Sequence, residues 1–477
     1  MASQITHGVQ TGKLTTSIST PNVASSGVIF AVGTAPVQMV EGGKINEVVM
    51  ANNYAEAVQK LGYSDDWKKY SLCEVIYTAF QLYTTSPIFL VNVLDPAKQK
   101  TKKTLATEVV ENQVKLPIEA IAGSVKVNGL EAGTDFETFY DDDNCIVEFL
   151  SDTTGEVELE YNEVDPAQID KDDIIGGFSV TTKKSTGLEL IDSVFPRFTE
   201  IPDLILCPGW SHDSEVAAVM SAKAENINGL FEADVILDMD TTEAGVTYYS
   251  DAIAWKKKKN FSKPNELVCF PKLALGDRHF NFSTQLAGLI AKVDNTEAWG
   301  GGTPCESASN KSLQADRMIL ADGTEVALDL QQANYLNDNG IITGLNFYNG
   351  FVSWGDWTAC FPGNTDPVDY FYCISRMFKW VAKTVTLSYW NYVDRKLNRR
   401  TIDAILQGVN DWLNSLTAEE RILGGRVEML ESENPLTALM AGRAKFHVYL
   451  TPPAPLQQMD WVLEYDVSYL SAALKTA

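Results

Sequence analysis

The residues that most often do chemistry are few in this chain and are poorly placed to act together. The chain has 477 residues and four histidines, His7, His212, His279 and His447, and none of them lies three or four residues from another. A zinc site or a histidine-activated nucleophile needs ligands or bases in defined arrangements. We therefore predict no catalytic site and no metal site built on histidine.

One tripeptide, Ser211-His212-Asp213, contains the three residue types of a hydrolase triad. Adjacent residues cannot converge in such a relay, because the members of a triad come from distant parts of a chain. The same tripeptide is typical of a helix start, in which Ser211 or Asp213 caps the first turn. We interpret it as that cap.

Two further patterns are incomplete as sites for a nucleotide or a metal ion. The runs Gly300-Gly301-Gly302 and Gly42-Gly43-Lys44 lack the remaining residues of a phosphate-binding loop. The acidic run Asp141-Asp142-Asp143 lacks the glycine and the ligand spacing of a calcium loop, so we interpret it as a solvated turn in preference to a metal site. The expectation is a protein without catalytic residues, cofactor or metal, which is not an enzyme.

The composition describes an acidic, globular chain. Hydrophobic residues make up 45% of it, which is enough for a buried core, and the formal net charge at pH 7 is -25. A surface of that sign repels phosphates, so we expect no direct nucleic-acid partner. The seven cysteines show no CxxC spacing, and no apolar run reaches the length of a membrane span. We expect reduced cysteines, synthesis in a cytosol and no direct insertion into a membrane.

Alternating strand and helix patterns in two parts of the chain predict one α/β core. Residues 28–33 and 88–94 are apolar runs typical of buried strands, and residues 53–59 and 71–83 between them have the pattern of helices. That order favours parallel pairing of the strands. Further predicted strands lie at 204–207, 234–237 and 267–270, and further amphipathic helices at 368–385 and 401–416.

The stretch between the two parts of the core has a different pattern. From residue 95 to about residue 198 the helical period disappears, and apolar residues such as Val157, Leu159 and Tyr161 recur at even spacing between turn residues. This pattern predicts an inserted β domain. The predicted organisation is an N-terminal arm (1–22), a first core segment (23–95), the inserted β domain (96–198), a second core segment (199–450) and a Pro-rich linker with a C-terminal strand arm (451–477).

The C-terminus predicts a tethered strand. Residues 451–455, Thr-Pro-Pro-Ala-Pro, form a stiff extended linker. A strand on such a tether must pair with a sheet edge, so either it folds back onto its own core or it is donated to the sheet of a neighbour, which is the interpretation we favour. The side chains after the linker alternate with a period of two, and those on the apolar side are Met459, Trp461, Leu463, Tyr465, Val467 and Tyr469.

The N-terminus has no such alternation. Residues 1–22 are rich in Thr and Ser, and after the initiator Met their bulky apolar side chains are Ile5, Val9, Leu14 and Ile18. A segment of this composition can extend but cannot bury itself. We therefore predict an arm.

Two basic clusters stand out on this acidic chain. Residues 256–259 are four consecutive lysines, which we interpret as a solvated helix face or as a contact for an acidic neighbour. The second cluster could form ion pairs on the surface of the protein itself or provide a docking face for an acidic partner. It consists of Arg395, Lys396, Arg399 and Arg400, opposed in residues 391–400 only by Asp394.

Several segments carry motifs in a recognisable order. Residues 27–36 include a Val-Gly-Thr-Ala turn after an apolar strand, and residues 306–311 read Glu-Ser-Ala-Ser-Asn-Lys. Residues 336–341, Leu-Asn-Asp-Asn-Gly-Ile, are followed by residues 349–358, Asn-Gly-Phe-Val-Ser-Trp-Gly-Asp-Trp-Thr. These segments resemble the tail sheath proteins of contractile bacteriophage tails and R-type bacteriocins.

The resemblance is most specific in the third and fourth segments. They match the sheath pattern Leu-Asn-x-x-Gly and then Gly-x-x-x-Trp-Gly-x-x-Thr. Residues 306–311 are similar to the family's Ser-Pro-Ser-Asn-Lys, with Ala308 where Pro is usual. Residues 441–443 and 451–456 and the C-terminal strand resemble the family's closing segments, and the inserted β domain matches least.

What the resemblance implies is an α/β fold with a mixed-sheet core formed by both halves of the chain, an inserted β-sandwich-like domain that faces outward, and extended terminal arms. It implies a structural subunit that polymerises helically around an inner tail tube and contracts to drive the tube through a target cell envelope. The apolar residues of both arms would then add strands to the sheets of adjacent subunits. The basic cluster of residues 395–400 would face the tube.

The resemblance also implies partners and a place in the particle. The partners would be copies of the chain in a helical homo-oligomer, the inner tail tube protein, and the baseplate and tail terminator proteins. The protein would belong to a virion tail or a bacteriocin particle assembled in the cytoplasm of a bacterial host. The alternative function is a receptor-binding or carbohydrate-binding structural module displayed through the inserted β domain.

Overall fold

Strands and helices alternate along much of the chain, as seen in a computed structural model that describes residues 22–141, 144–348 and 350–474. The strands are β1 (Ile29–Gly33), β2 (Val48–Ala51), β3 (Ile88–Asn92), β4 (Lys100–Val109), β5 (Gln113–Pro117), β6 (Lys126–Val127), β7 (Phe136–Tyr140), β8 (Asn144–Phe149), β9 (Gly155–Val164), β10 (Gly177–Ser179), β11 (Lys184–Thr186), β12 (Leu204–Leu206), β13 (Asp234–Asp238), β14 (Glu266–Cys269), β15 (Lys272–Leu275), β16 (Arg278–Phe280), β17 (Arg317–Ile319), β18 (Glu325–Val326), β19 (Ile341–Asn346), β20 (Phe351–Trp354), β21 (Gly424–Glu428) and β22 (His447–Thr451). The α-helices are α1 (Tyr54–Leu61), α2 (Ser71–Tyr77), α3 (Lys171–Ile175), α4 (Val194–Phe198), α5 (Ser214–Ala224), α6 (Ala252–Lys259), α7 (Phe282–Asn295), α8 (Leu330–Asn337), α9 (Pro367–Tyr370), α10 (Tyr372–Tyr389), α11 (Arg399–Ala418), α12 (Leu436–Met440) and α13 (Val467–Leu474).

One sheet of eight strands runs through the core. Its order is β2-β3-β1-β12-β13-β14-β19-β20. The six central strands are parallel to one another, whereas β2 and β20 at the edges are antiparallel to their neighbours. Neighbours come from distant parts of the chain, since Ile29 lies beside Leu204. The predicted α/β fold with a mixed-sheet core from both halves of the chain is confirmed.

Apolar strands and a capped helix explain why the sheet forms where it does. All residues of β1 and β3 are buried, as parallel strands covered on both faces require. Helix α5 follows β12 and begins after Asp213, whose carboxylate accepts hydrogen bonds from the backbone N–H groups of Glu215 and Val216. The interpretation of Ser211-His212-Asp213 as a helix start is confirmed, with Asp213 as the cap.

The inserted β domain has two three-stranded sheets and an apolar cluster of its own. The orders of the sheets are β4-β9-β6 and β5-β8-β7, and Phe136, Phe149 and Leu159 are buried in the cluster. After β9, side chains such as Ile174 and Leu188 are buried in the main cluster instead. The buried residues after Val164 thus pack in the main cluster, and the boundary of the domain at about residue 198 stays a prediction.

A third apolar cluster lies beside the main core. Trp380 of α10, Trp412 and Leu413 of α11, and Val427 of β21 are buried in it. Both helices were predicted from their apolar stripes. The two-stranded sheet β21–β22 packs on this cluster, so the cluster supports the last strand before the C-terminal linker.

The structure bears on two expectations from the sequence, that the cysteines are reduced and that the chain does not insert into a membrane. All seven cysteines are free, and six of them are buried. In the part of the chain that the structure describes, no helix is both long enough and apolar enough to cross a membrane.

The carboxyl ends of β1 and β12 form the crevice where an open α/β sheet most often holds a ligand. The strands on the two sides of β1 are β3 and β12, so the chain connections diverge there. A cavity of about 300 Å³ lies at this crevice and is lined by residues that include Thr34, Glu74, Trp210 and Lys272.

The protein's own groups occupy the helix ends around this crevice. At the start of α7, Glu74 accepts a hydrogen bond from the backbone N–H of Asn281 at 2.6 Å, and Asp238 accepts one from the N–H of Ser283 at 2.8 Å. At the start of α2, the carbonyl oxygen of Thr34 accepts from the N–H of Leu72 at 3.0 Å. A helix N-terminus attracts anions, and two internal carboxylates fill that role here. These contacts tie the sheet to its helices instead of holding a phosphate.

Replacing Glu74 by Gln should change how stability depends on pH. Burial raises the pKa of Glu74 to about 7. Between its ordinary pKa of 4.5 and about 7, the folded state binds more protons than the unfolded state, so this carboxyl makes the free energy of unfolding fall as pH rises. We expect Glu74→Gln to reduce that fall by up to a few kcal/mol, since one pKa unit corresponds to about 1.4 kcal/mol. Chemical denaturation at intervals from about pH 5 to about pH 7.5 measures the change.

The control is Glu225→Gln, which also removes one carboxylate. Glu225 is exposed and pairs with Lys263 at 2.8 Å. Its replacement should leave the pH profile of stability nearly unchanged, because an exposed ion pair contributes little. A Glu74→Gln variant with the same pH profile as the native protein would contradict the assignment.

Candidate assembly surfaces

The C-terminal arm, defined as residues 452–474, is almost entirely exposed. Of these residues only Pro452 is buried. Trp461 and Leu463 are 82% and 93% exposed, and the other predicted arm residues, Met459, Tyr465, Val467 and Tyr469, are exposed as well. In the isolated subunit residues 460–474 are all exposed and do not pack onto the core. A run of bulky apolar side chains in water marks a contact site for another molecule.

The predicted C-terminal strand is absent from the isolated subunit. Residues 459–466 have no regular secondary structure, and Val467 and Tyr469 lie in helix α13 and not in a strand. A strand needs a hydrogen-bonded neighbour, and within the described chain no other strand pairs with this segment. Without that neighbour, local preference decides the conformation, and the sequence Ser-Ala-Ala-Leu at 471–474 favours a helix.

A groove of about 740 Å³ lies beneath the root of the C-terminal arm. One wall is the linker from Pro453 to Met459, and the others include Ser307, Lys311 and Trp357. The segments that carry the sheath resemblance therefore meet at this groove.

Hydrogen bonds at the floor of the groove hold two of these segments together. Asp356 is buried and accepts a hydrogen bond from the hydroxyl of Ser307 at 2.7 Å. The backbone N–H of Ala308 donates to the hydroxyl of Tyr372 at 2.8 Å. A Pro at position 308, which the family pattern has, could not make this second bond. The substitution thus adds a link between the motif segment and helix α10.

The small sheet β21–β22 has one closed edge and one open edge. On the β21 side, the amide of Asn410 both accepts from the backbone N–H of Val427 at 2.9 Å and donates to its carbonyl at 3.2 Å. On the β22 side, no further strand pairs with His447–Thr451 in the described ranges. A two-stranded sheet is marginal alone, and its open edge can accept another strand.

The exposed face beside this open edge carries basic side chains that lie beside carboxylates, and Arg426 lies 3.0 Å from Glu428. The guanidinium of Arg426 lies 3.9 Å from the ring centre of Tyr449. Lys445 and His447 both lie within 3.2 Å of the carboxylate of Glu433. The acidic side of the arm sequence, with Asp460, Glu464 and Asp466, has the opposite charge.

The second basic cluster lies in the exposed connection between α10 and α11 and the first turn of α11. Arg395, Lys396, Arg399 and Arg400 are all exposed. Within the described residues a carboxylate at ion-pair distance is found only for Arg399, whose Nε lies 3.5 Å from Asp403. Internal ion pairing therefore accounts for one of the four charges. Exposed apolar residues that sequence reasoning missed stand beside them: Trp390, Val393 and Leu397.

The first basic cluster is not uniformly solvated. Lys257 and Lys258 are exposed, but Lys256 is buried and donates to the carbonyl oxygens of Asn339 at 2.5 Å and Phe361 at 3.2 Å. Burial lowers the pKa of Lys256 to about 8. The interpretation of all four lysines as a solvated face is wrong for Lys256, because α6 turns that side chain toward the end of α8.

The predicted N-terminal arm residues Ile5, Val9, Leu14 and Ile18 lie outside the described residues. The described chain begins at Asn22, whose backbone N–H donates to the hydroxyl of Ser388 on α10 at 2.8 Å. Residues 22–24 therefore lie against α10, where Thr384 accepts a further hydrogen bond from the backbone N–H of Ala24.

Comparison with known sequences finds relatives along the whole chain. No family model matches. A tail sheath protein of Burkholderia phage BcepMu is 23% identical over 98% of both chains. A major tail sheath protein of Serratia phage KSP20 is 27% identical over 39% of this chain and 45% of its own length, and the tail sheath protein of Escherichia phage P2 is 26% identical over 42% and 50%.

Comparison with solved structures finds the same fold. A sheath complex of an extracellular contractile injection system, PVC, in its contracted state matches with a TM-score of 0.59 at 13% identity and covers 98% of this chain and 100% of its own. The sheath tail protein of Desulfitobacterium hafniense matches with a TM-score of 0.52 at 11% identity over 88% and 93%. At these identities the likeness concerns the fold.

Proposed function

We propose that this chain, which belongs to the contractile tail sheath family, polymerises with copies of itself into a helical sheath around an inner tail tube and contracts to drive that tube through a target cell envelope. It is a component of a phage tail or contractile injection particle. Assembly takes place in the cytoplasm of the bacterial host. Its further partners are the baseplate and tail terminator proteins.

The observation that carries the proposal is the exposed C-terminal arm beside an open sheet edge. The arm presents Trp461, Leu463 and Tyr465 to water in the isolated subunit. Strand β22 offers an unpaired edge within the described chain. A second copy of the chain supplies what each surface lacks, because donation of the arm to the neighbour's edge pairs the backbone and covers the apolar side chains.

Charge favours the same pairing. Added beside β22, the arm would present its apolar side toward the third cluster, where Val448 and Leu450 pack. Its acidic side would then face Arg426 and Lys445. Opposite charges across neighbouring strands stabilise a sheet and select the register.

The energies are of the right size for a lasting but reversible link. Five or six strand hydrogen bonds contribute about 0.5–1.5 kcal/mol each. Each bulky apolar side chain that becomes fully buried contributes about 1.5–3 kcal/mol. Association costs at least about 4 kcal/mol in lost freedom of motion. The net free energy of association is therefore favourable. Every subunit donates one arm and receives another, so each subunit takes part in two such contacts.

Contraction then needs no nucleotide. Assembly traps the sheath in an extended, metastable state, and release lets rigid subunits repack while donated strands keep them linked. The linker beneath the arm, with Pro452, Pro453 and Pro455, restricts how far the donated strand can swing.

The basic cluster of residues 395–400 faces the tube in this proposal. Among the described residues, Arg399 is the one member of the cluster with a carboxylate at ion-pair distance, and the whole chain is strongly acidic. Exposed Trp390 and Val393 beside it add an apolar component. A surface of this kind suits an acidic partner with apolar patches.

Removing the arm tests the proposal as a whole. The protein truncated before residue 458 should remain folded and soluble, because the removed side chains are exposed in the subunit. It should fail to form the hollow striated tubes that the full-length protein is expected to form in negative-stain micrographs. Tubes from the truncated protein would remove the arm from the assembly contact.

A pair of adjacent substitutions tests the strand itself. Val462 and Leu463 are 91% and 93% exposed in the subunit, yet they point to opposite sides if the arm becomes a strand. Leu463→Ser should raise the critical concentration for assembly at least about tenfold, since roughly 1.4 kcal/mol of lost burial suffices for that factor. Val462→Ser is the matched control and should change it less. Equal effects, measured by sedimentation of assembled sheath, would argue against strand pairing.

Charge reversal tests the tube contact. The double variant Arg399→Glu and Arg400→Glu should weaken docking of the sheath on the tube, with fewer full-length sheathed particles in micrographs. Lys257→Glu and Lys258→Glu, which change the net charge equally at another exposed site, are the control. If the first variant sheathes tubes as well as the control does, the tube-facing assignment is wrong.

A further inference from the structure

We propose that helix α10 anchors the root of the N-terminal arm, residues 22–26, and that this anchor sets the point from which the arm reaches a neighbouring subunit. The inference rests on the proposed sheath function. It assigns Trp380, Lys383, Thr384 and Ser388 as positioning residues for strand exchange.

The root of the arm follows one side of α10 for more than two turns. The indole N–H of Trp380 donates to the carbonyl of Ala24 at 2.9 Å, and the hydroxyl of Thr384 accepts from the N–H of Ala24 at 3.3 Å. One turn further, the hydroxyl of Ser388 accepts from the N–H of Asn22 at 2.8 Å. Positions 380, 384 and 388 are four residues apart, so they form one stripe on the helix.

A buried lysine adds the strongest contact. The ammonium of Lys383 donates to the carbonyl of Ser25 at 2.7 Å and to the carboxylate of Asp203 at 2.6 Å. Its side chain is 4% exposed. Asp203 in turn accepts from the N–H of Val28, just before β1. One charged network therefore joins the arm root, the helix and the first strand of the sheet.

Further ion pairs fix α10 to the core. Arg376 forms two hydrogen bonds with Asp294 of α7, at 3.0 and 2.5 Å, and both side chains are buried. Asp294 also accepts from the hydroxyl of Ser26 at 2.6 Å. Lys379 pairs with buried Asp234 of β13 at 2.5 Å. Breaking such pairs leaves a charge unpaired in the interior, so the helix and the arm root resist separation.

The anchored helix leads directly to the basic cluster. Helix α10 has 18 residues and is therefore about 27 Å long, since each residue adds 1.5 Å. Residues 395–400 follow its end. The helix that holds residues 22–26 is thus followed in the chain by the exposed connection that carries Arg395 and Lys396 of the basic cluster.

Anchoring also limits the positions that the arm can reach. A tethered segment finds its partner efficiently only when the tether starts from a defined point at the right distance. With residues 22–26 held against α10, the arm would start from a fixed point on the core. Loosening the anchor should therefore slow assembly even if the arm and the acceptor edge are intact.

The test uses full-length subunits with Lys383→Met or Trp380→Phe, and Lys379→Met as the matched control. Lys379 and Lys383 lie one turn apart, and each pairs with an aspartate, but the hydrogen bond to the arm root belongs to Lys383. Trp380→Phe keeps an aromatic ring in the third cluster and removes the N–H that binds Ala24. Hydrogen exchange at the amides of residues 22–27 should become at least tenfold faster in the two anchor variants than in the control.

The same variants are then mixed with tubes and scored for sheath assembly. We expect slower assembly for Lys383→Met and Trp380→Phe than for Lys379→Met. Equal exchange at residues 22–27 in all three variants would overturn the anchor, and faster exchange with unchanged assembly would overturn its role in strand exchange. Normal assembly after deletion of residues 1–21 would instead overturn the N-terminal arm in the proposed function, and the exchange result would distinguish the two failures.

Discussion

Bulky apolar side chains at the C-terminus have no place in the core of their own subunit, and the rest of the assembly depends on that constraint. Trp461 and Leu463 are exposed beyond the Pro-rich linker. In the proposed assembly a second copy of the chain covers them. The third apolar cluster is the proposed acceptor, because the strand with the open edge, β22, packs on it through Val448 and Leu450.

The other proposed assembly features also lie at or near this cluster. Helix α10 contributes Trp380 to it and holds residues 22–26, and the basic cluster begins in the connection between α10 and α11. By contrast, Glu74 and Asp238 lie at the crevice of the main sheet and accept hydrogen bonds from backbone N–H groups at the start of α7. The helix ends at the crevice of the large sheet are thus bound by the protein's own carboxylates, and the proposed assembly surfaces lie around the third cluster beside that sheet.

Patterns that depend on local sequence predicted the core well. The apolar runs at β1 and β3 and the stripes of α10 and α11 report burial directly, so their positions were predicted. The segment of short turns and small helices after β9 has no period that reveals which apolar cluster it joins, so its packing in the main cluster could not be predicted. Lys256 was misinterpreted for a similar reason, since four consecutive lysines do not reveal that one of them faces the end of α8.

The assembly surfaces could be predicted only in part. The period-two pattern identified the apolar side of the arm, but the isolated subunit has a helix over Val467–Leu474, because a strand's conformation is supplied by its partner. The closed edge at Asn410 and the ion pairs of α10 join residues far apart in sequence, so one sequence alone could not indicate them. The prediction of an N-terminal arm depends mainly on the family resemblance. The hydrogen bonds between residues 22–26 and α10 could be seen only in the structure.

The most direct test of the central claim is a cryo-EM map of the assembled protein at side-chain resolution. The account predicts that residues 459–465 of one subunit form a strand beside β22 of the next, with Trp461 and Leu463 turned toward that neighbour's third cluster. A map in which the same residues cover their own subunit, with β22 unpaired or paired to a different segment, would contradict it.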